Sequence, residues 1–231
     1  MSTTIAKMID HAVLHPTQME TDLDTAISLS LKYNIASLCV KPYMVKHTSA
    51  GLAGSEVLCS TVIGFPHGSN ASTTKLFESE KALYHGAREL DMVANIGRIK
   101  SGDWINIRNE VDSIGQLCHD NQAIVKVIIE TDFLTSDEII AMAQLLDDSA
   151  ADFIKTSTGF GYTKRSNGFY AYDGALLDNV VLIKNNIKGA LKIKASGGIR
   201  DLETLKKFKS AGAERIGTSS TESIMEEALA G

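Results

Sequence analysis

No stretch of the 231-residue sequence approaches the ~18 uninterrupted apolar residues of a membrane-crossing helix, so no membrane partner is expected. The segment Met1-Ser2-Thr3-Thr4-Ile5-Ala6-Lys7 lacks the apolar run of a secretory signal. There is no basic excess either. Lys and Arg total 23 against 28 Asp and Glu, a net charge of −5, and nucleic acid is not an expected partner. Cysteine is scarce: Cys39, Cys59 and Cys118 form an odd set without metal-like spacing. Cys39 and Cys59 lie in apolar runs, which predicts buried, reduced thiols and a cytoplasmic setting. Low-complexity linkers, repeats and breaks in composition are also missing. Residues 1–231 therefore read as one unit, large enough to bury a sizeable core.

What is present is an alternation of short β-rich runs with amphipathic stretches. Strands are predicted at Asp10–Leu14, Ser37–Val40, Leu58–Phe65, Glu89–Ile96, Ile124–Glu130, Phe153–Thr158, Leu191–Ser196 and Arg215–Ser219. Between them, Leu23, Ile27 and Leu31 mark a helix over Asp22–Tyr33, and Ile107, Val111, Ile114 and Cys118 mark another over Asp103–His119. Thr135-Ser136-Asp137-Glu138 is a capping box, and Gly86 and Gly212 stand where helices should stop. Strand–helix alternation implies parallel strands with right-handed crossovers, and eight such units close into a (β/α)8 TIM barrel. The competing open sheet usually carries a Gly-rich turn after its first strand. Asp10-His11-Ala12-Val13-Leu14-His15-Pro16 has no glycine, which favours the barrel.

A charge in mid-strand costs desolvation unless it is paired or used. In Phe153-Ile154-Lys155-Thr156-Ser157, alternation puts Phe153, Lys155 and Ser157 on one face. In Leu191-Lys192-Ile193-Lys194-Ala195-Ser196, Lys194 shares a face with Ser196, while Lys192 falls at the solvated strand start. Lys155 could instead point outward along a helix. If both lysines point inward from adjacent strands, mutual repulsion lowers one pKa, and only a free amine attacks a carbonyl. In Glu89-Leu90-Asp91-Met92-Val93-Ala94-Asn95, the residues Asp91, Val93 and Asn95 share a face. Asp91 could carry protons for such an amine or be a simple counter-ion. Strand ends at Thr158-Gly159, Ser196-Gly197-Gly198 and Gly217-Thr218-Ser219-Ser220 offer backbone amides for an anion such as phosphate, although helix caps and turns use the same residues.

The segments Lys155-Thr156-Ser157-Thr158-Gly159-Phe160, Lys194-Ala195-Ser196-Gly197-Gly198-Ile199-Arg200 and Arg215-Ile216-Gly217-Thr218-Ser219-Ser220 resemble motifs of the deoxyribose-phosphate aldolase family. So do Ile9-Asp10-His11, Ser37-Leu38-Cys39-Val40, Thr61-Val62-Ile63-Gly64-Phe65-Pro66, Glu89-Leu90-Asp91-Met92-Val93 and Lys126-Val127-Ile128-Ile129-Glu130-Thr131. The resemblance runs in order along nearly the whole chain. It implies a TIM barrel and a class I aldolase without metal or other cofactor, cleaving 2-deoxyribose 5-phosphate to acetaldehyde and glyceraldehyde 3-phosphate. Lys155 would then be the Schiff-base lysine, Lys194 the lysine that lowers its pKa, and Asp91 part of a proton relay. Gly159, Gly197, Gly198, Gly217, Ser219 and Ser220 would cradle phosphate, with Asp10 near the sugar hydroxyls. A homo-oligomer is also implied.

The chain departs from that family's usual pattern at Ala12, His15 and Lys41, the last an extra cation expected at the rim. It also carries a longer, aromatic segment at 161–174, read as a substrate lid, an interface loop or a self-packed loop. Some members end in a tyrosine that aids proton transfer. This sequence reads Ala228-Leu229-Ala230-Gly231 there, so water or another residue is expected to serve. Three other readings stand beside the leading one: an imine aldolase for a different sugar or sugar phosphate, a zinc lyase built on Asp10, His11 and His15, and a non-catalytic phosphosugar-binding barrel.

Overall fold

The computed structural model describes residues 2–230; Met1 and Gly231, the ends of the expected 1–231 span, lie outside the described residues. The strands are β1 (Ile9–Val13), β2 (Ser37–Val40), β3 (Leu58–Ile63), β4 (Glu89–Val93), β5 (Ile124–Ile128), β6 (Phe153–Lys155), β7 (Thr163–Lys164), β8 (Tyr170–Ala171), β9 (Lys192–Ser196) and β10 (Arg215–Thr218). All but β7 and β8 close into a parallel barrel in the order β1-β10-β9-β6-β5-β4-β3-β2. Helices α1 (Ser2–Ala6), α2 (Glu20–Tyr33), α3 (Val45–Gly51), α4 (Ser72–Tyr84), α5 (Ile96–Ser101), α6 (Trp104–Asp120), α7 (Ser136–Asp147), α8 (Leu177–Asn186), α9 (Leu202–Ala211) and α10 (Thr221–Ala230) complete the chain. Among the described residues no helix is long and apolar enough to cross a membrane.

Period-two alternation divides each barrel strand between two environments. Leu38, Val40, Leu90, Met92, Val125, Val127, Ile154, Ile193 and Ile216 alternate outward and join the helices in one buried apolar cluster. Burying each such side chain contributes ~1.5–3 kcal/mol before entropy is counted. The intervening positions face the lumen, and among them Asp10, Glu89, Asp91, Lys126, Lys155 and Lys194 are charged and buried. The three cysteines are buried and unpaired.

Several elements differ from the sequence expectation. Leu31 is 41% exposed, and α2 buries Leu23, Ala26, Ile27 and Ser30 instead. Each four-residue step overshoots a helical turn by ~40°, so by Leu31 the stripe has rotated off the core. Strand β4 ends at Val93, because Asn95 accepts the Arg98 N–H and caps α5. Strand β6 ends at Lys155, and the Thr158 amide turns to the Glu130 carboxylate. The Thr135–Glu138 capping box starts α7, and Gly212, at φ +112°, ends α9.

Candidate active site

Strand pairing brings the lumen charges together. Lys155 on β6 is level with Lys194 on β9, and Asp91 on β4 is level with Lys126 on β5. The Asp91 carboxylate lies at the centre. Its Oδ2 accepts from Lys155 Nζ at 2.8 Å and from Lys194 Nζ at 2.7 Å, and its Oδ1 accepts from Lys126 Nζ at 2.9 Å. Asp10 Oδ2 lies 2.6 Å from Lys194 Nζ, and Asp10 Oδ1 accepts from Ser37 Oγ at 2.7 Å. Below, Lys126 pairs with Glu89, and Arg215 pairs with both Asp10 and Glu89. Four nitrogen bases thus face three carboxylates, and the group is neutral only if one base is uncharged.

The environment selects that base. Burial pushes the Lys155 amine below the ordinary lysine value; Asp91 opposes the shift and Lys194 adds to it. The second lysine is therefore the lesser cause, where the sequence suggested it as the main one. Burial would also lower Lys194, but Asp10 and Asp91 outweigh it and raise that amine. Lys126 is raised against burial by Asp91, Glu89 and Asp10. Asp91 would be raised by burial, yet Lys126, Lys155 and Lys194 hold it well below the usual carboxylate range. Asp10 is likewise held low against burial by Lys194, Lys126 and Arg215.

Above this layer a cavity of about 350 Å³ opens at the C-terminal ends of the strands, with Lys155 and Lys194 in its base. Asp10, Gly159, Gly197, Gly198, Gly217 and Ser219 all line it. Asp91 does not, being fully buried beneath the amines. Ser220 does not either; its amide donates to Thr218 Oγ1 at 2.9 Å at the start of α10. Gly197 and Gly198 have φ +99° and +82°, which turns the backbone across the mouth. At Gly217 a Cβ would come 2.7 Å from Ser196 Cβ and 3.3 Å from Lys194 Cε, so glycine leaves room for the amine.

Other expected residues fall elsewhere. Lys192 is exposed at the strand start, as the alternation suggested. Lys41 is no free rim cation: it donates to the carbonyls of His15 and Gln18 at 3.2 and 2.6 Å. The residues of the zinc reading separate, since Asp10 points inward, His11 points outward onto Thr221 Oγ1, and His15 bonds Thr17 Oγ1. Among the described residues no group of three or more His, Cys, Asp or Glu is placed to hold a metal. Segment 161–174 forms the β7–β8 hairpin. Tyr172 lines the cavity with its ring 5.2 Å from that of Tyr162, and Phe169 and Tyr170 face solvent.

Sequence reasoning gave no role to Lys126, Glu89, Arg215 or Arg200. The signal was present for the first two, since Lys126 interrupts an apolar strand and Glu89 shares a face with Asp91. Arg200 lines the cavity beside the glycine turn and adds a cationic residue to that end. Glu130, buried at φ +53°, accepts the Thr158 N–H and hydroxyl, and burial pushes its carboxyl up to about 7.

Residues 4–223 match the DeoC/LacD family aldolase model. The chain is 42% identical to "Deoxyribose-phosphate aldolase 2" of Staphylococcus aureus strain COL, over 96% of this chain and 95% of that protein. It is 38% identical to the "Deoxyribose-phosphate aldolase" of Rhodopirellula baltica, over 97% of this chain and 89% of that one. Among solved structures, the tetrameric deoxyribose phosphate aldolase of Aeropyrum pernix superposes with a TM-score of 0.88 at 28% identity, covering 99% of this chain and 92% of that one.

Proposed function

The chain belongs to the DeoC/LacD aldolase family, and from that premise we propose that it reversibly cleaves 2-deoxy-D-ribose 5-phosphate to acetaldehyde and D-glyceraldehyde 3-phosphate through a Schiff base on Lys155. The observation that carries this reading is a buried, depressed amine at the base of an open cavity, bonded to a carboxylate that also holds a protonated lysine.

The free amine of Lys155 attacks C1 of the open-chain sugar, and loss of water with uptake of one proton from solvent leaves a protonated imine. Water in the open cavity takes the proton of the C3 hydroxyl, the C2–C3 bond breaks as C3 becomes an aldehyde, and the bond's electrons enter the imine to give a neutral enamine. Glyceraldehyde 3-phosphate departs. Protonation of the enamine at C2 and hydrolysis release acetaldehyde and restore Lys155. The imine is the electron sink, so the reaction calls for no cofactor. Asp91 stays ionised between its ammonium partners and orients Lys155 and Lys194, while Lys194, held protonated, is the proton donor nearest the reacting nitrogen. The amides at Gly159, Gly197, Gly198, Gly217 and Ser219, with the Arg200 guanidinium, form the phosphate end of the cavity, and Ser220 supports them from the start of α10. Asp10 faces the sugar hydroxyls. A homo-oligomeric assembly is part of the proposal and is supported by the tetrameric Aeropyrum pernix relative.

Treatment with deoxyribose 5-phosphate and borohydride should fix one adduct, located on Lys155 by peptide mass spectrometry. Lys155→Ala should lose adduct and turnover, at least ~10³-fold in kcat. An adduct on another lysine, or equal turnover of the unphosphorylated sugar, would reject the assignment.

A further inference from the structure

The lumen charges form a continuous chain from the cavity base to the opposite end of the barrel. It runs from Lys155 through Asp91 and Lys126 to Glu89, and from Glu89 to Arg215 at 2.7 Å. Arg215 closes a second path through Asp10 to Lys194. The far end opens on a separate depression at the barrel floor, lined by Glu89, Arg215, Phe153 and Lys192. Neither Glu89 nor Arg215 touches the substrate cavity. A pair whose only duty was to close the floor could be apolar, and buried ion pairs are often replaceable in that way without loss of stability.

We propose that Glu89 and Arg215 are positioning residues that set, from the far end of the barrel, how readily Lys155 gives up its proton. This deepens the reading of Lys155 as the imine-forming amine and rests on it for its catalytic consequence. The physical basis is electroneutrality. With Lys126, Lys194 and Arg215 charged and Asp10, Glu89 and Asp91 ionised, the lumen balances only while Lys155 is uncharged. Removing the Glu89 charge leaves a surplus of cations and makes protonating Lys155 harder. Removing the Arg215 charge leaves a surplus of anions and makes it easier. Two unit charges ~10 Å apart at an effective dielectric of ~20 move a titration by roughly one pH unit.

The other groups facing Lys155 do not disturb this sign. Asp91 on β4, Lys126 on β5, Lys194 on β9 and Asp10 on β1 are members of the balance. Cys39 on β2 is held as a neutral thiol by burial, which raises its pKa. Glu130, after β5, titrates near 7 in its own right and would overlay the acid limb of an activity profile. The readout should therefore be Lys155 itself.

The test is the pH dependence of Lys155 labelling by a small amine-directed electrophile, with the modified peptide quantified by mass spectrometry. The expected result is a midpoint moved down by about one pH unit in Glu89→Gln and up by about one in Arg215→Met. Arg215→Lys should stay at the wild-type value, and the double variant Glu89→Gln/Arg215→Met should return to it. A purely structural role would lower the melting temperature and leave the midpoints coincident, or move both the same way; either result overturns the proposal. If Glu89→Gln does not fold by circular dichroism, Arg215→Met against Arg215→Lys decides, since only loss of charge should move the midpoint. Borohydride trapping on a different lysine would remove the catalytic reading, while the labelling midpoint of Lys155 would still decide the charge coupling.

Discussion

Buried lysines stand beside carboxylates both inside the ring of strands and outside it, and Lys155 and Lys75 represent the two places. Lys75, on α4, donates to Glu110 Oε2 and to the Val93 carbonyl, both at 2.8 Å, in the layer between helices and sheet. Lys155, on β6, donates to an Asp91 oxygen that a second lysine also uses. Burial lowers both amines. Among the described residues, however, Lys75 is the one cation paired with Glu110 and it does not line the substrate cavity, whereas Lys155 shares its counter-ion with a second cation and faces an open mouth. Burial is thus common to both, and what separates a reactive amine from a structural one is a contested partner and a route for the substrate.

The sharpest way to break that comparison is to remove the shared carboxylate. Asp91→Asn should cut kcat by ~10²–10³, because Lys155 and Lys194 lose the oxygen that fixes their geometry. Steady-state kinetics on folded protein measure it, and turnover within threefold of wild type would contradict the role given to Asp91. On the outer side, Lys75→Met should leave kcat within a few-fold. It should destabilise the fold by about 3 kcal/mol by stranding Glu110, a fall in Tm of roughly 10 °C that Glu110→Leu largely reverses. A loss of activity without a loss of stability would invert the comparison.

An effect absent at neutral pH and expressed only in acid lies at His11, on the outer face of β1, where burial lowers the imidazole from 6.5 to about 4. Both folded and unfolded forms are neutral there above pH 6.5. As pH falls from 6.5 toward 4 the unfolded chain takes up the proton first, so stability is lost across that window, by about 3 kcal/mol at pH 4. Urea melts between pH 7 and 4 should show that slope, and it should flatten in His11→Gln.

Much of the site was legible because it obeys the period of two. Lys155, Lys194 and Asp91 each interrupt an apolar strand, and alternation gave each its neighbours on one face; that Lys155 points inward rather than outward, beside the other two, comes from the strand register. The barrel was legible for the same reason. Lys126 and Glu89 follow the same rule, but the sequence does not tell which charge reaches which partner. Arg215 sits at a strand start, where a solvated cation is the ordinary expectation, and only closure of β10 onto β1 brings it to Asp10. The hairpin at 161–174 was not legible because β7 and β8, two residues each, are too short to show any alternation. The ends of β4 and β6 were misjudged because side chains, Asn95 and Glu130, draw the backbone out of the ladder.

The balanced lumen also bears on how the catalyst lets go. In the mechanism proposed, an iminium on Lys155 gives the interior one positive charge with no counterpart among the lumen carboxylates. Every route out of that state, whether by expelling a fragment as the enamine forms or by water reclaiming the carbonyl, discharges it. On that mechanism, the same charge balance that keeps the resting amine free also favours each step that releases it again.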